Sequence, residues 1–338
     1  MQDEKFMMKC IELAQKGELY TAPNPMVGCV IVYDDEIVAD GYHQRYGEAH
    51  AEVNAFAALH ESIDVSKCTV YVNLEPCPHY GKTPPCADLI ITKKPQRVVI
   101  GMLDPHEKVA GKGIKKLLEA GIDLSVGILE EECKAINKRF IKAHTQHLPY
   151  VTLKWAETKD GYMASQKGQV KISAPENDAF VHYLRATHQA LLVGANTVNT
   201  DNPLLDVRHT EGGNPTKVIY SPKLSVSRNA LLFESGKTIV YNTLTDEESD
   251  NTSLVNIANG GIKAMLSDMY SKGIHSVLVE GGPTLLQGFL DEKLWDEAII
   301  IKSSNKWNDG IKAPWVGIPS YKELQQYSDL IKYFKPHK

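Results

Sequence analysis

Apolar side chains recur along the first part of the chain with two alternating periods, and that alternation predicts a layered α/β domain. A helical pattern runs to about Lys16, an apolar strand covers 27–33, and Asp34-Asp35 turns the chain into a second strand at 37–40. From about Ala49 the period becomes helical again, with Val53, Phe56 and Leu59 on one face. Strands at 69–73 and 97–101 flank a helix starting near Cys86, and a helix from Gly113 leads to a strand at 123–126. Helices packed on both faces of one sheet, a three-layer arrangement, bury all of these apolar faces together.

The pattern is helical again from Glu130 to about His144, and His147-Leu148-Pro149 breaks it, which places a domain boundary between 147 and 148. Beyond it, strands are predicted at 150–156, 190–194, 218–220, 238–241, 276–280 and 297–301, with helices at 175–187 and from Thr284. This alternation predicts a mostly parallel sheet with helices on both faces. The polar run 243–253 reads as a solvated loop. With 338 residues, 43% of them hydrophobic, the chain is long enough for two domains that each bury a core. A formal charge of −5 offers no global attraction to polyphosphate, so no nucleic-acid partner is expected. No stretch approaches the roughly 20 apolar residues of a membrane span, and the charged start is no signal core, so no membrane partner and a cytoplasmic location are expected.

The chemistry concentrates in His50-Ala51-Glu52, Pro76-Cys77 and Cys86. One imidazole and two thiolates fill three corners of a tetrahedral zinc and leave the fourth for water, whereas a closed structural site needs a fourth protein ligand. Glu52, near the start of a helix, is placed to shuttle a proton without ligating. Both the His50 and Cys86 segments are predicted helix N-termini, whose dipoles favour thiolate. Cys10, Cys29, Cys68 and Cys133 read as small buried hydrophobes. His43 and His79 remain alternative ligands, although neither occupies the motif position.

His-x-Glu followed by Pro-Cys-x-x-Cys is the zinc deaminase signature, but here eight residues separate the cysteines. With that spacing, Asn73-Leu74-Glu75-Pro76-Cys77 through Cys86 resembles the deaminase half of the bifunctional riboflavin-biosynthesis deaminase/reductases. Asn24 to Val30, Asp104-Pro105 and Val109-Ala110-Gly111-Lys112-Gly113 fit the same family. In the second half, Leu184-Arg185-Ala186, Val193 to Val198, Asp201-Asn202-Pro203-Leu204-Leu205, Arg208 and Glu280-Gly281-Gly282-Pro283-Thr284 follow in the order of its reductase half.

The resemblance implies a cytidine-deaminase-like domain at 1–147 and a dihydrofolate-reductase-like domain at 148–338. It further implies Zn2+ on His50, Cys77 and Cys86 with Glu52 catalytic, and NADPH in the second domain. Arg185, Leu205, Arg208 and Glu280 would contact the phosphoribosyl pyrimidine. Ala156, Thr197, Asp201, Ser221, Gly282, Pro283, Thr284, Leu285, Leu286, Gln287 and Gly288 would contact NADPH. A helix N-terminus after small residues suits a phosphate, and a guanidinium suits one too. A homo-oligomer, dimer or tetramer, is also implied.

Two stretches depart from the family. Its Gly-x-Ser-x-Trp-Ile-Thr stretch reads Gly168-Gln169-Val170-Lys171-Ile172-Ser173 here, and its Ala-Pro-Lys-Leu-Leu-Gly run is replaced near Ile301-Lys302-Ser303-Ser304-Asn305. An impaired reductase half, a nucleic-acid deaminase and a non-catalytic zinc module are the competing readings. The last would need a fourth ligand or the loss of Glu52.

Overall fold

The computed structural model describes residues 2–78, 84–107, 109–165, 170–258 and 260–336, and the chain divides into two compact units, Met1–His147 and Leu148–Lys338. The expectations placed on His79 and on Gly168-Gln169 fall outside the described residues.

The first unit runs α1 (Gln2–Gln15), β1 (Gly28–Tyr33), β2 (Glu36–Tyr42), α2 (Ala51–Ala58), β3 (Thr69–Leu74), α3 (Cys86–Lys93), β4 (Arg97–Met102), α4 (Lys112–Glu119), β5 (Asp123–Val126), α5 (Glu130–Ile136) and α6 (Lys138–Gln146). Among the described residues its sheet has the order β2-β1-β3-β4-β5, with β1 antiparallel to both neighbours and β3, β4 and β5 parallel. Because alternate strand residues face opposite ways, Cys29, Ile31, Val70, Val72, Val98 and Ile100 pack with Ala55, Phe56, Ile90 and Leu117 from α2, α3 and α4. Val30, Val32, Tyr71 and Val99 pack instead on Phe6, Met7, Cys10 and Ile11 of α1 and Cys133 of α5. These are the three layers read from the sequence.

One expected helix, 130–144, is two. Asn137 interrupts it because its buried amide pairs with the backbone of Met26, accepting the N–H at 2.8 Å and donating to the carbonyl at 3.0 Å. A side chain that bonds distant backbone competes with helix continuation.

The second unit runs β6 (Tyr150–Glu157), β7 (Tyr162–Ala164), α7 (Asp178–Ala186), β8 (Ala190–Gly194), α8 (Ala195–Asp201), β9 (Thr216–Tyr220), β10 (Thr238–Asn242), β11 (Glu247–Glu248), β12 (Thr252–Asn256), α9 (Gly261–Ser271), β13 (Ser276–Val279), α10 (Pro283–Asp291), β14 (Glu297–Lys302), β15 (Ile311–Lys312), β16 (Lys322–Gln326) and β17 (Asp329–Phe334). Among the described residues the main sheet has the order β11-β12-β10-β9-β8-β13-β6-β14-β17-β16. It is parallel from β12 to β14, with antiparallel β11 at one edge and β17 and β16 at the other. Leu153, Leu192, Val218 and Val279 meet Met265, Met269, Leu286 and Phe289 of α9 and α10 on one face. On the other, Val193, Ile219, Leu278 and Ile299 meet Leu184 of α7 and Val198 of α8.

The polar run 243–253 is not simply a loop. Glu247 and Glu248 pair with Ser253 and Leu254, so its polarity is that of a solvated sheet edge. At the second departure from the family, Ile301 and Lys302 continue β14 beside Ala156 and Glu157. Among the described residues, no helix is long and apolar enough to cross a membrane.

The helix that carries Glu52 rests directly on β2 at Gly41, where an added Cβ would come within 2.4 Å of the Ala55 nitrogen and 2.7 Å of the Ala51 oxygen. Gly41→Ala is expected to destabilise the first unit by about 1–3 kcal/mol through overpacking. Urea unfolding of the purified variant measures it, and an unchanged midpoint would mean that α2 shifts without cost.

Candidate active sites

In the first unit, three sequence-distant elements deliver three soft donors to one point. His50 is the N-cap of α2, in extended backbone with φ −73° and ψ 164°, and Cys86 opens α3 after its N-cap Pro85. Cys77 follows β3. The His50 Nδ1 lies 3.2 Å from the Cys86 Sγ and 3.6 Å from the Cys77 Sγ, and the Cys86 N–H donates to the Cys77 Sγ at 3.3 Å. All three donor atoms lie within 4.8 Å of one another, and among the described residues the group contains no fourth donor. Two thiols and one imidazole at this spacing fit zinc's preferred chemistry with one coordination position left open.

The electrostatics fit a cation as well. Hydrogen bonding from Cys86, assisted by His50, pushes the Cys77 thiol down to about 4, while the same pairing and burial push Cys86 up. The Cys77 sulfur raises the His50 pKa against the effect of burial. Glu52, 3% exposed on the first turn of α2, has its pKa raised by burial and then by the Cys77 charge. A carboxylate moved towards neutrality beside an open metal position is equipped to take and return a proton.

His43 is not part of the metal group. Its Nδ1 donates to the Ala49 carbonyl at 3.0 Å, which leaves Nε2 to accept from the Asn24 amide at 3.1 Å, and its ring stands edge-on to His50 at 5.6 Å. Cys10, Cys29, Cys68 and Cys133 are free and buried away from the cluster, as their bland reading expects. Sequence reading placed Glu75 and Asp104 in family motifs but gave neither a role. Burial pushes the Asp104 pKa up to about 6, with the Glu75 charge and then the Cys77 charge adding to this.

In the second unit Arg185 and Glu280 meet at the C-terminal end of β13, with Lys154 of the neighbouring β6 close by. The Glu280 Oε2 accepts from Arg185 Nη2 at 2.7 Å and Nε at 3.2 Å, and Arg185 Nη1 donates to the Asp206 carbonyl at 3.1 Å. The other Glu280 oxygen is buried without a hydrogen bond, 3.7 Å from the Lys154 ammonium. Lys154 escaped the sequence reading, although a lone lysine in Tyr150-Val151-Thr152-Leu153-Lys154-Trp155-Ala156 is itself a signal. Leu205 is buried with φ +55°, a left-handed backbone that a leucine adopts only at a cost. Arg208 is half-exposed, beside Asp206 at 3.3 Å, and its N–H donates to the His182 Nδ1 at 3.0 Å.

Gly282 is the N-cap of α10, and a Cβ there would sit 3.6 Å from the Thr197 Oγ1, so these two residues border one cradle. Ser221 is buried with its hydroxyl unpartnered, which suits a bound polar ligand. Further along α10 the residues turn structural. Leu285 and Leu286 pack into the core, Gln287 bonds Asp291 at 2.7 Å, and Gly288 approaches Ile262. Asp201 is exposed at the end of α8.

Comparison with known proteins agrees with both halves. Residues 1–102 match the cytidine and deoxycytidylate deaminase zinc-binding region, and residues 149–304 match the RibD C-terminal domain. The chain is 38% identical to the riboflavin biosynthesis protein RibD of Aquifex aeolicus over 330 residues, 95% of this chain and 92% of that protein. It is 40% identical to that of Bacillus amyloliquefaciens, over 87% of this chain and 82% of that one. The solved structure of Acinetobacter baumannii RibD aligns with a TM-score of 0.91 and 33% identity, covering 100% of this chain and 99% of that one. A diaminohydroxyphosphoribosylaminopyrimidine deaminase/5-amino-6-(5-phosphoribosylamino)uracil reductase from Thermotoga maritima aligns with a TM-score of 0.89 and 35% identity, covering 99% of each chain.

The buried charges around Glu280 make a pH-dependent contribution to stability. Burial alone would raise the Glu280 pKa, but the Lys154 and Arg185 charges outweigh it and hold it below the usual carboxylate range. A depressed folded pKa contributes stability that is present above the unfolded pKa and lost as pH falls through the folded one. Glu280→Gln should therefore cost the second unit about 3 kcal/mol at neutral pH by leaving buried cations unpaired. That gap should shrink below about pH 4 as the wild-type carboxyl is protonated. Denaturant titrations of both proteins across pH test this, and a gap that does not change with pH would contradict it.

Proposed function

The chain belongs to the RibD family of bifunctional riboflavin-biosynthesis enzymes, and we propose that its two activities rest on the residue clusters described above. It is a zinc-dependent deaminase joined to an NADPH-dependent reductase. The proposed substrate of the first unit is 2,5-diamino-6-(5-phosphoribosylamino)pyrimidin-4(3H)-one. The second unit then reduces the ribosyl chain of 5-amino-6-(5-phosphoribosylamino)uracil to ribityl.

For the deaminase, His50, Cys77 and Cys86 are the proposed metal ligands and Glu52 the catalytic residue. Zinc supplies the Lewis acidity that makes a hydroxide nucleophile available near neutral pH. Glu52 takes the proton released in forming that nucleophile and returns it to the departing amine. Burial makes it a stronger base than an exposed carboxylate for the first step, and the proton it holds is the one returned to the amine. The observation that carries the reading is this buried carboxylate beside a three-donor group with no fourth protein donor among the described residues. A nucleic-acid deaminase would share the chemistry, but family membership over 95% of the chain favours the pyrimidine nucleotide.

For the reductase, NADPH supplies hydride to the ribosyl carbonyl carbon. The proposed cofactor contacts are Ala156, Thr197, Asp201, Ser221 and the start of α10 from Gly282 to Thr284. The rest of that run, Leu285 to Gly288, is proposed to act by holding the helix in place. Arg185 is already engaged, so its proposed role is to orient Glu280 for a substrate hydroxyl. Burial lowers the Lys154 pKa against the pull of Glu280, which suits its ammonium to donate a proton to the carbonyl oxygen as it is reduced. Arg208, half-exposed on the turn that follows the strained Leu205, is the proposed reader of the substrate phosphate. The expected homo-oligomer finds support in the exposed side chains of Leu324 on edge strand β16 and of Tyr321 and Tyr327 at its two ends, and a cytoplasmic location completes the proposal.

Glu52→Gln should keep its zinc and lose deamination by about 10² to 10⁴-fold, the usual worth of general acid/base assistance. Metal analysis and ammonia release on the purified variant decide it, and near-wild-type turnover would remove Glu52 from the mechanism. Arg208→Ala should raise the reductase KM with a smaller effect on kcat, the signature of lost uniform binding, and leave deamination intact. Steady-state NADPH oxidation measures it. An unchanged KM would return Arg208 to the class of solvated surface charges.

A further inference from the structure

Glu75 immediately precedes Pro76-Cys77 and is 3% exposed, and the mechanism above does not use it. Its Oε2 accepts the N–H groups of Asp104 at 3.2 Å and Gly111 at 2.9 Å. Its Oε1 accepts those of Gly113 at 2.9 Å and Ile114 at 3.3 Å. Two donors lie in the connection from β4 to α4 and two in the first turn of α4, so one carboxylate saturates both its oxygens on a single neighbouring segment. Its own N–H donates to the Met102 carbonyl at 3.0 Å.

The same junction is closed from the other side. A Cβ on Gly113 would come within 2.1 Å of the Pro76 oxygen, so only glycine allows α4 to start this close to the metal loop. Lys116 of α4 donates to the Pro78 carbonyl at 3.2 Å and to Asp88 of α3 at 2.7 Å. Asp104, whose N–H Glu75 holds, is itself buried. The loop that carries Cys77 and the start of α4 are thus tied together by one side chain.

We propose that Glu75 is a positioning residue for deamination, locking the Cys77 loop to the β4–α4 connection and the first turn of α4 so that the metal-ligating sulfur keeps a fixed place. The proposal rests on the assignment of Cys77 as a zinc ligand. Groups that orient metal ligands commonly change metal affinity or activity when altered, and a site loosened by a fraction of an ångström loses rate. The glutamate and glycines that the family resemblance singled out in Asn73-Leu74-Glu75-Pro76-Cys77 and in Val109 to Gly113 acquire a joint reason here: acceptor on one strand end, donors and clearance on the other.

Glu75→Gln keeps the shape but replaces one acceptor oxygen with an amide NH2 facing two N–H donors. In the full-length zinc-loaded protein it should speed zinc release to a chelator and lower deaminase kcat/KM, each by about 10- to 100-fold. NADPH-dependent reduction of the pre-deaminated substrate should stay within about twofold of wild type, since independent sites do not couple. Arg97→Met is the control for simple loss of stability. It breaks the 2.9 Å pair with Asp3 at the opposite end of β4, and it should lower the melting temperature without changing zinc release. If Glu75→Gln does not fold, Glu75→Asp, one methylene short of its donors, is read by the same two assays and should show a smaller loss in both.

Wild-type zinc release and kcat/KM in the folded Glu75 variant would overturn the proposal. So would an equal change in Arg97→Met at matched melting temperature, which would make Glu75 merely structural. Failure of the underlying assignment looks different: Cys77→Ser would then retain a full equivalent of zinc.

Discussion

Two sulfurs, an imidazole and a carboxylate held within a few ångströms of one another, mostly out of water, pose an electrostatic problem around which the first unit is built. Left to themselves, the groups share protons. Cys77 is driven towards thiolate by Cys86 and His50, Cys86 is held as the thiol, and Glu52 is pushed towards its neutral form. A divalent cation resolves these tensions together by taking both sulfurs as thiolates, and it leaves Glu52 as the one group free to exchange protons. The fold supplies the donors from places that cannot drift independently. His50 and Cys86 sit at two helix N-termini, and Cys77 hangs on a loop gripped by Glu75, Gly113 and Lys116. Close backbone contact between Gly41 and α2 fixes the remaining side.

The second unit meets a related problem with different means. Glu280 lies between two cations at the end of a parallel strand, where the sheet and the N-terminus of α10 leave a cradle bordered by Thr197 and Gly282. One carboxylate oxygen is committed to Arg185, while the other lacks a hydrogen bond and faces Lys154. Such a half-satisfied buried group carries a stability cost that a bound hydroxyl would relieve, which is the arrangement a substrate site needs. The strained Leu205 turn beside it belongs to the same economy, since it directs the Asp206 carbonyl to Arg185.

How much of this was legible in the sequence depended on how local the signal was. His50, Glu52, Cys77 and Cys86 could be read because metal chemistry demands particular atoms, and the three candidate donors do converge. The central strands β1, β3, β4, β6, β8, β9, β10, β13 and β14 could be read because they are largely buried on two faces and run apolar, whereas the more exposed β7, β11, β12, β15 and β16, and β17 with its lysine and aspartate, were not read. Asn137 could not, since the reason it breaks a helix is a bond to Met26, more than a hundred residues away in sequence. The 243–253 run was misjudged because an edge hairpin of solvated glutamates has the composition of a loop. Glu75 was read only as part of a motif and Lys154 was overlooked, for a related reason: each is a single charge inside an apolar or motif context, and only the fold shows what it touches. In the cofactor run, Leu285 and Leu286 lie within a glycine-led motif, but helical period turns them to the core.

The central claim is an open zinc site made of one imidazole and two thiolates, with Glu52 next to the metal but not bound to it. X-ray absorption at the zinc edge of the purified protein tests it most directly, because sulfur and nitrogen or oxygen scatter at separable distances. The account predicts two sulfurs at about 2.3 Å and two nitrogen or oxygen ligands at about 2.0–2.1 Å, unchanged in Glu52→Gln. A shell with one sulfur, or one in which Glu52→Gln loses an oxygen ligand, would contradict it.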